Sequence, residues 1–135
     1  ARAYIAGASG GCQAEIGTAS AMAAGVLVAL HGGSEKAIIH AAAMAIKNLL
    51  GLVCDPVAGL VEVPCVKRNV VGAMNALSSA DMALAGIESR IPPDQVVDAM
   101  KEVGDQMNAS LKETGIGGLA GTPFGKEVAE NFLGK

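Results

Sequence analysis

Ser34-Glu35-Lys36-Ala37-Ile38-Ile39-His40-Ala41-Ala42-Ala43-Met44-Ala45-Ile46-Lys47-Asn48-Leu49-Leu50-Gly51 is the stretch on which the fold class turns. Its apolar positions Ile38, Ala41, Ala42, Ala45, Ile46 and Leu49 recur at i, i+3, i+4, i+7, i+8 and i+11, the spacing of one face of an α-helix. Ser34 can accept a hydrogen bond from a free N–H of the first turn, and Glu35 suits the positive end of the helix dipole. Gly51 supplies the stop. Lys36, His40, Met44 and Lys47 are expected on the opposite side.

Working outward, every longer segment also reads as helix. From Gln13 to about Leu30 the chain is apolar on nearly every face, which predicts a helix surrounded by others, stopped by Gly32 and Gly33. A third helix is expected from about Val66 to Ala85, with Val70, Ala73, Met74, Leu77 and Leu84 buried and Gly86 closing it. Pro92 and Pro93 start a fourth, where a missing N–H does no harm, with Val96, Val97, Met100, Val103, Met107 and Leu111 as its stripe. A short last helix begins at Thr122 as cap with Pro123 at its first position, carrying Val128, Phe132 and Leu133. Residues 1–11 and 114–121 are too Gly-rich for regular structure. The only strand-like run is Leu60 to Val63, so the predicted class is all-α: a compact bundle of about five helices with a cysteine-bearing loop.

The 135 residues make one domain's worth of chain, enough to bury roughly two thirds of the surface exposed on unfolding. A formal charge of -3 and a pI near 5.3 give no basic stripe, and one Tyr with two Phe leaves little to stack on bases. Nucleic acid is therefore not an expected partner. Mean hydropathy is high at +0.42, but Ala dominates the apolar content. The longest weakly polar run, Ile16 to Leu30, falls short of the roughly 20 residues that cross a bilayer, so it reads as a core helix and no membrane is expected. The opening Ala1-Arg2-Ala3-Tyr4 has no initiator Met and no signal-type segment, which suggests an upstream part of the protein. Three cysteines, an odd number, fit a reducing compartment better than a disulfide framework, with the cytoplasm as the default.

Those cysteines are the chemically distinctive residues. Cys54 and Cys65 bracket a Pro- and Gly-containing loop, and Cys12 lies in Gly10-Gly11-Cys12-Gln13-Ala14-Glu15. Cys12 and Cys65 each stand where a helix starts, where partial positive charge favours thiolate, and Lys67 and Arg68 add to the field around Cys65. Free cysteines are often inert core residues, and that reading predicts Cys12 and Cys54 far apart. A Cys54–Cys65 disulfide is possible by loop length but leaves Cys12 over. Structural zinc wants four ligands, whereas three thiolates suit an iron-sulfur cluster with one open iron. Spacing alone does not decide among these.

The motifs Gly10 to Gly17, Gly51 to Val61, Val63 to Asn69, and Lys112-Glu113-Thr114 followed by Gly117-Gly118-Leu119-Ala120 resemble those of the iron-sulfur L-serine dehydratases. The resemblance runs from Ala6 to at least Ala120. It implies an L-serine ammonia-lyase that makes pyruvate and ammonia without pyridoxal phosphate, with Cys12, Cys54 and Cys65 holding a [4Fe-4S] cluster whose fourth iron takes the substrate. It further implies that residues 1–135 are the carboxy-terminal, cluster-binding half of a larger helical catalytic domain. Its partners would be the rest of that domain and an α/β regulatory domain or β subunit, in a homo- or hetero-oligomer. Arg68 and Asn69 are candidates to meet the substrate carboxylate, and Asp55 and Glu15 to orient nearby donors. His31 and His40 are the only bases of suitable type, but both read as structural or solvated, so the general base is expected upstream of Ala1. The rival readings are a related cluster-dependent lyase for another β-substituted amino acid such as cysteine, and a non-catalytic zinc or thiol helical module.

Overall fold

The computed structural model describes residues 2–134, apart from the side chain of Leu133, as an all-α protein without a strand among them. Six α-helices follow in order: α1 Gly7–Gly10, α2 Cys12–Leu30, α3 Glu35–Asn48, α4 Cys65–Leu84, α5 Pro93–Gln106 and α6 Pro123–Leu133. Single 3-10 turns lie at Val57–Gly59, Ala109–Leu111 and Gly118–Gly121. The caps behave as their chemistry requires. The Ser34 hydroxyl accepts from the Ala37 N–H, and the Thr122 hydroxyl accepts from the Gly125 N–H with Pro123 as the first helical residue.

Helices α2, α3 and α4 pack against one another, and α5 closes over α3. Their contacts use small side chains, which set how near the backbones come. Ala24, Val28, Ala41, Ala45, Ala76 and Ala80 form the centre of the core. At the α2–α4 crossing a Cβ on Gly72 would sit 2.6 Å from the Ile16 side chain, so glycine is what permits that approach. A polar chain stitches the same three helices together. Ser20 Oγ donates to the Gly72 carbonyl at 2.7 Å, Asn75 donates to Ser20 Oγ and the Ala45 carbonyl, each at 2.9 Å, and Asn48 donates to Asn75 at 2.8 Å.

Several expectations need correction. In α4 the buried residues are Gly72, Ala76, Ser79, Ala80 and Ala83, while Val70, Ala73, Met74, Leu77 and Leu84 are exposed. The helix is turned by its small-residue face toward α2, because only that face fits so close a crossing. Met44 is buried rather than solvated, since α3 is covered by α2, α4 and α5. Helix α2 is not enclosed on all sides: Met22, Val26 and Leu30 face outward. It has 19 residues and is long and apolar enough to cross a membrane by composition, but half of it is buried against protein here. Residues 7–10, expected as loop, form a helical turn, and Leu60 to Val63 make a turn rather than a strand. Met107 and Leu111 fall beyond the end of α5. Of the apolar residues that α6 carries, Phe132 is exposed and Val128 half-buried, and the Leu133 side chain lies outside those described.

Candidate metal centre

Cys12 and Cys65 are the first residues of α2 and α4, and Cys54 lies in the extended segment after α3. Gly11, at φ 78, turns the chain into α2, and the Gln13 N–H donates to the Leu52 carbonyl at 2.8 Å. That bond brings the Cys12 end of α2 against the Cys54 segment. Gln13 fastens the junction from the inside. Almost fully buried, its amide donates to the Gly10 and Met100 carbonyls, each at 3.0 Å, and accepts from the Gly51 N–H at 3.0 Å. Cys54 is held from its other side by residues 111–113: its N–H donates to the Leu111 carbonyl at 2.8 Å and its carbonyl accepts from the Glu113 N–H at 2.7 Å.

All three thiols are free and line one cavity of about 230 Å³, together with Glu15, Asn69 and Glu113. Cys12 and Cys54 share a buried cluster with Ile16 and Leu49, which is not the wide separation that inert cysteines predict. At Gly7 of α1 a Cβ would come within 2.9 Å of the Cys54 sulfur and 3.1 Å of the Glu15 carboxylate, so the wall of the cavity is bare backbone there. Among the described residues no three His, Cys, Asp or Glu side chains close on a point as a single ion requires. The cavity, compared with roughly 30 Å³ for a water molecule, has room for several atoms beside the three cysteines. Three thiols around such a space fit a polynuclear group better than one zinc ion.

The electrostatics are those of crowded sulfur. Burial pushes the Cys54 thiol far up, and the neighbouring Cys12 pushes it the same way. Burial also raises the Cys65 thiol, with Cys12 adding to the rise and Arg68 opposing it. The helix-end field expected to favour thiolate is thus outweighed at Cys65. Three thiolates this close need cationic compensation, which a metal centre provides when it displaces the protons.

Arg68 and Asp55 form the support beneath the loop. Arg68 Nη1 donates to Asp55 Oδ1 at 2.6 Å and to the Val53 carbonyl at 2.8 Å, and the Leu119 N–H donates to Asp55 Oδ2 at 2.7 Å. Asn69 lines the cavity itself, whereas Asp55 lies behind it. The Gly117-Gly118 loop packs on Asp55: a Cβ at Gly118 would lie 2.3 Å from its carboxylate. His31 Nδ1 pairs with the Leu27 carbonyl at 2.8 Å, and His40 Nδ1 accepts from the Ser89 N–H at 3.1 Å. Neither histidine lines the cysteine cavity. Sequence reading assigned no role at the cavity to Glu113, Gly7 or Gln13. The cue for Gln13 was its place in the Cys12 motif, while Glu113 is distant in sequence and reaches the site only through the pairing of residues 111–113 with Cys54.

Residues 1–120 match a family model described as serine dehydratase alpha chain. The chain is 60% identical over 133 residues to a probable L-serine dehydratase, alpha chain, of Latilactobacillus sakei, covering 98% of this chain and 64% of that protein. A probable L-serine dehydratase, alpha chain, of Bacillus subtilis (strain 168) is 60% identical over 132 residues, covering 98% and 44%. An L-serine dehydratase, alpha chain, of Peptoniphilus asaccharolyticus is 57% identical over 131 residues, covering 97% and 45%. The chain spans less than two thirds of the length of each of these relatives.

Proposed function

Since the chain belongs to the serine dehydratase alpha chain family, we propose that it is the carboxy-terminal, cluster-binding part of the catalytic domain of an L-serine ammonia-lyase. The reaction is β-elimination of L-serine: the α-proton leaves for a base, the bond from Cβ to the hydroxyl oxygen breaks, and the net products are pyruvate and ammonia. The observation that carries this reading is the convergence of Cys12, Cys54 and Cys65 from three separate elements on one cavity. These residues would hold a [4Fe-4S] cluster. When bound, such a cluster supplies a Lewis-acidic iron that makes a hydroxyl a better leaving group.

The chain's own residues supply binding and enclosure. Asn69 lines the cavity; Arg68, the next residue back along α4, is outside that lining but has N–H donors beyond the Nη1 committed to Asp55 and Val53, and the pair is assigned to the substrate carboxylate. Buried Cys12 and Cys54 and the close backbone of Gly7 keep that floor of the cavity from water. With His31 and His40 engaged elsewhere, the general base is assigned to sequence upstream of Ala1. The partners are the remainder of the catalytic domain and a regulatory β domain or subunit. Three free thiols suit a cytoplasmic setting.

Anaerobic reconstitution with iron and sulfide tests the reading. A charge-transfer absorption should develop and should be lost in Cys12→Ala, Cys54→Ala and Cys65→Ala. A complete enzyme that kept both its cluster and serine turnover after Cys54→Ala would sink it.

A further inference from the structure

We infer that Glu113 is a substrate-binding residue, the carboxylate that receives the α-ammonium group of the amino-acid substrate. This rests on the cysteine cavity being the active site of a serine dehydratase, and adds to that reading the group that recognises the amine.

The backbone of Glu113 stands at φ 63, in the left-handed region where an L side chain crowds its own main chain. The same loop uses glycine where it next needs that conformation, at Gly115 and Gly118, with φ 68 and 60. Among the described residues Ala58 is the other non-glycine in that region, and it does not line the cavity. Glycine at position 113 would relax the turn and keep the N–H bond to the Cys54 carbonyl. What it would remove is the acidic side chain of a residue that lines the cavity together with the three cysteines.

Glu113 is exposed, and among the described residues its carboxylate takes part in no ion pair, which leaves it available to an incoming cation. Glu15 also lines the cavity, but it sits in a regular helical turn with Oε2 laid against Gly7. A zwitterionic amino acid brings an ammonium group, a carboxylate and, in serine, a hydroxyl. Arg68 and Asn69 on α4 suit the carboxylate, and the hydroxyl belongs on the cysteine side. The ammonium bonds most strongly to an anionic acceptor, and Glu113 offers one from a separate segment, so that substrate is gripped at two ends.

The test uses the complete enzyme, reconstituted anaerobically, with Glu113→Gln and Glu113→Gly. Loss of a charge-assisted hydrogen bond should raise KM for L-serine by about tenfold to a hundredfold while kcat changes little. Inhibition by 3-hydroxypropanoate, which is serine without its amine, should be unchanged in both variants. Glu113→Gly should also melt at or above the wild-type temperature, with or without the cluster, because the strained position is relieved. A wild-type KM in either variant would overturn the inference alone. So would a Glu113→Gly protein that melts well below the parent and loses iron, since Glu113 would then be structural. Failure of the wild-type reconstituted enzyme to act on serine would overturn the underlying reading and this inference with it.

Discussion

Asp55 carries more of the site's integrity than its position behind the cavity suggests. It is 3% exposed, and it joins the Cys54 segment, the first turn of α4 and the Gly118–Gly121 turn through two hydrogen bonds. Burial pulls the Arg68 guanidinium down, and Asp55 first, then Cys12, together more than offset that, leaving Arg68 firmly charged. Asp55→Ala would strand this charge at a position only 18% exposed, so the expected cost is about 3 kcal/mol in chemical denaturation. Asp55→Asn keeps an acceptor for the Leu119 N–H and should cost less. A loss below about 1 kcal/mol for Asp55→Ala, the size of an average substitution, would mean that the pair is not a fastening at all. The residue types at the site were readable from sequence, since thiols on Gly- and Pro-marked loops are unusual. Their convergence was not, because it depends on backbone bonds across long separations, Gln13 to Leu52 and Cys54 to Leu111 and Glu113.

At the scale of elements, the N-terminal strap offers a second test. Residues 2–6 lie along α5, with Arg2 bonded to Asp98 at 2.6 Å and Tyr4 Oη donating to Asp105 at 2.7 Å. Lys101 bonds Asp105 at 2.5 Å and stands 5.4 Å from the centre of the Tyr4 ring. The strap leads into α1, whose Gly7 abuts Cys54. Lys101 above all, and then Tyr4, hold the Asp105 carboxyl below the usual carboxylate range. A carboxyl whose folded pKa is depressed stabilises the fold above its unfolded value, and that contribution is lost as pH falls through the folded one. Tyr4 is the single Tyr in a chain without Trp, so its fluorescence reports the strap directly. The signal should shift as pH falls below about 4, and Asp105→Asn should show the released signal already at neutral pH. Identical traces from the two proteins would rule the latch out. Elements of this kind also show where sequence reading held and where it failed. Helix α3 was legible because only one of its faces repeats regularly and Ser34 marks its start. In α4 both faces are apolar, and size misled: large Val70 and Met74 read as core, while the crossing with α2 admits only Gly72, Ala76, Ser79 and Ala80.

At the scale of the whole molecule, many large apolar side chains stay outside a core whose centre is built mostly from alanine. Val66, Val70, Met74 and Leu77 follow helical spacing along the exposed face of α4. The furrow between α2 and α4, lined by Ala19, Ala23 and Ala73, meets the cysteine cavity at Ile16 and Asn69. A second, wholly different groove of about 720 Å³ runs between α2, α3 and α5, past Met22, Val26, Ile38 and Val97. Contiguous apolar surface of this extent marks a face that another structure covers. Under the proposed domain assignment, that structure is the rest of the catalytic domain, and its arrival beside Asn69 would complete the wall of the active site. The assignment makes opposite demands on one pair of substitutions. In residues 1–135 alone, Val70→Glu with Met74→Glu should leave stability within about 0.5 kcal/mol per site, because both side chains are in water, and should suppress self-association in sedimentation. In the complete α chain the same pair would bury two carboxylates without partners, costing several kcal/mol, about 2 or more for each, with loss of soluble enzyme. Equal tolerance in both contexts would show that the α4 face stays in solvent in the full protein, and the division of the catalytic domain would then have to be drawn elsewhere.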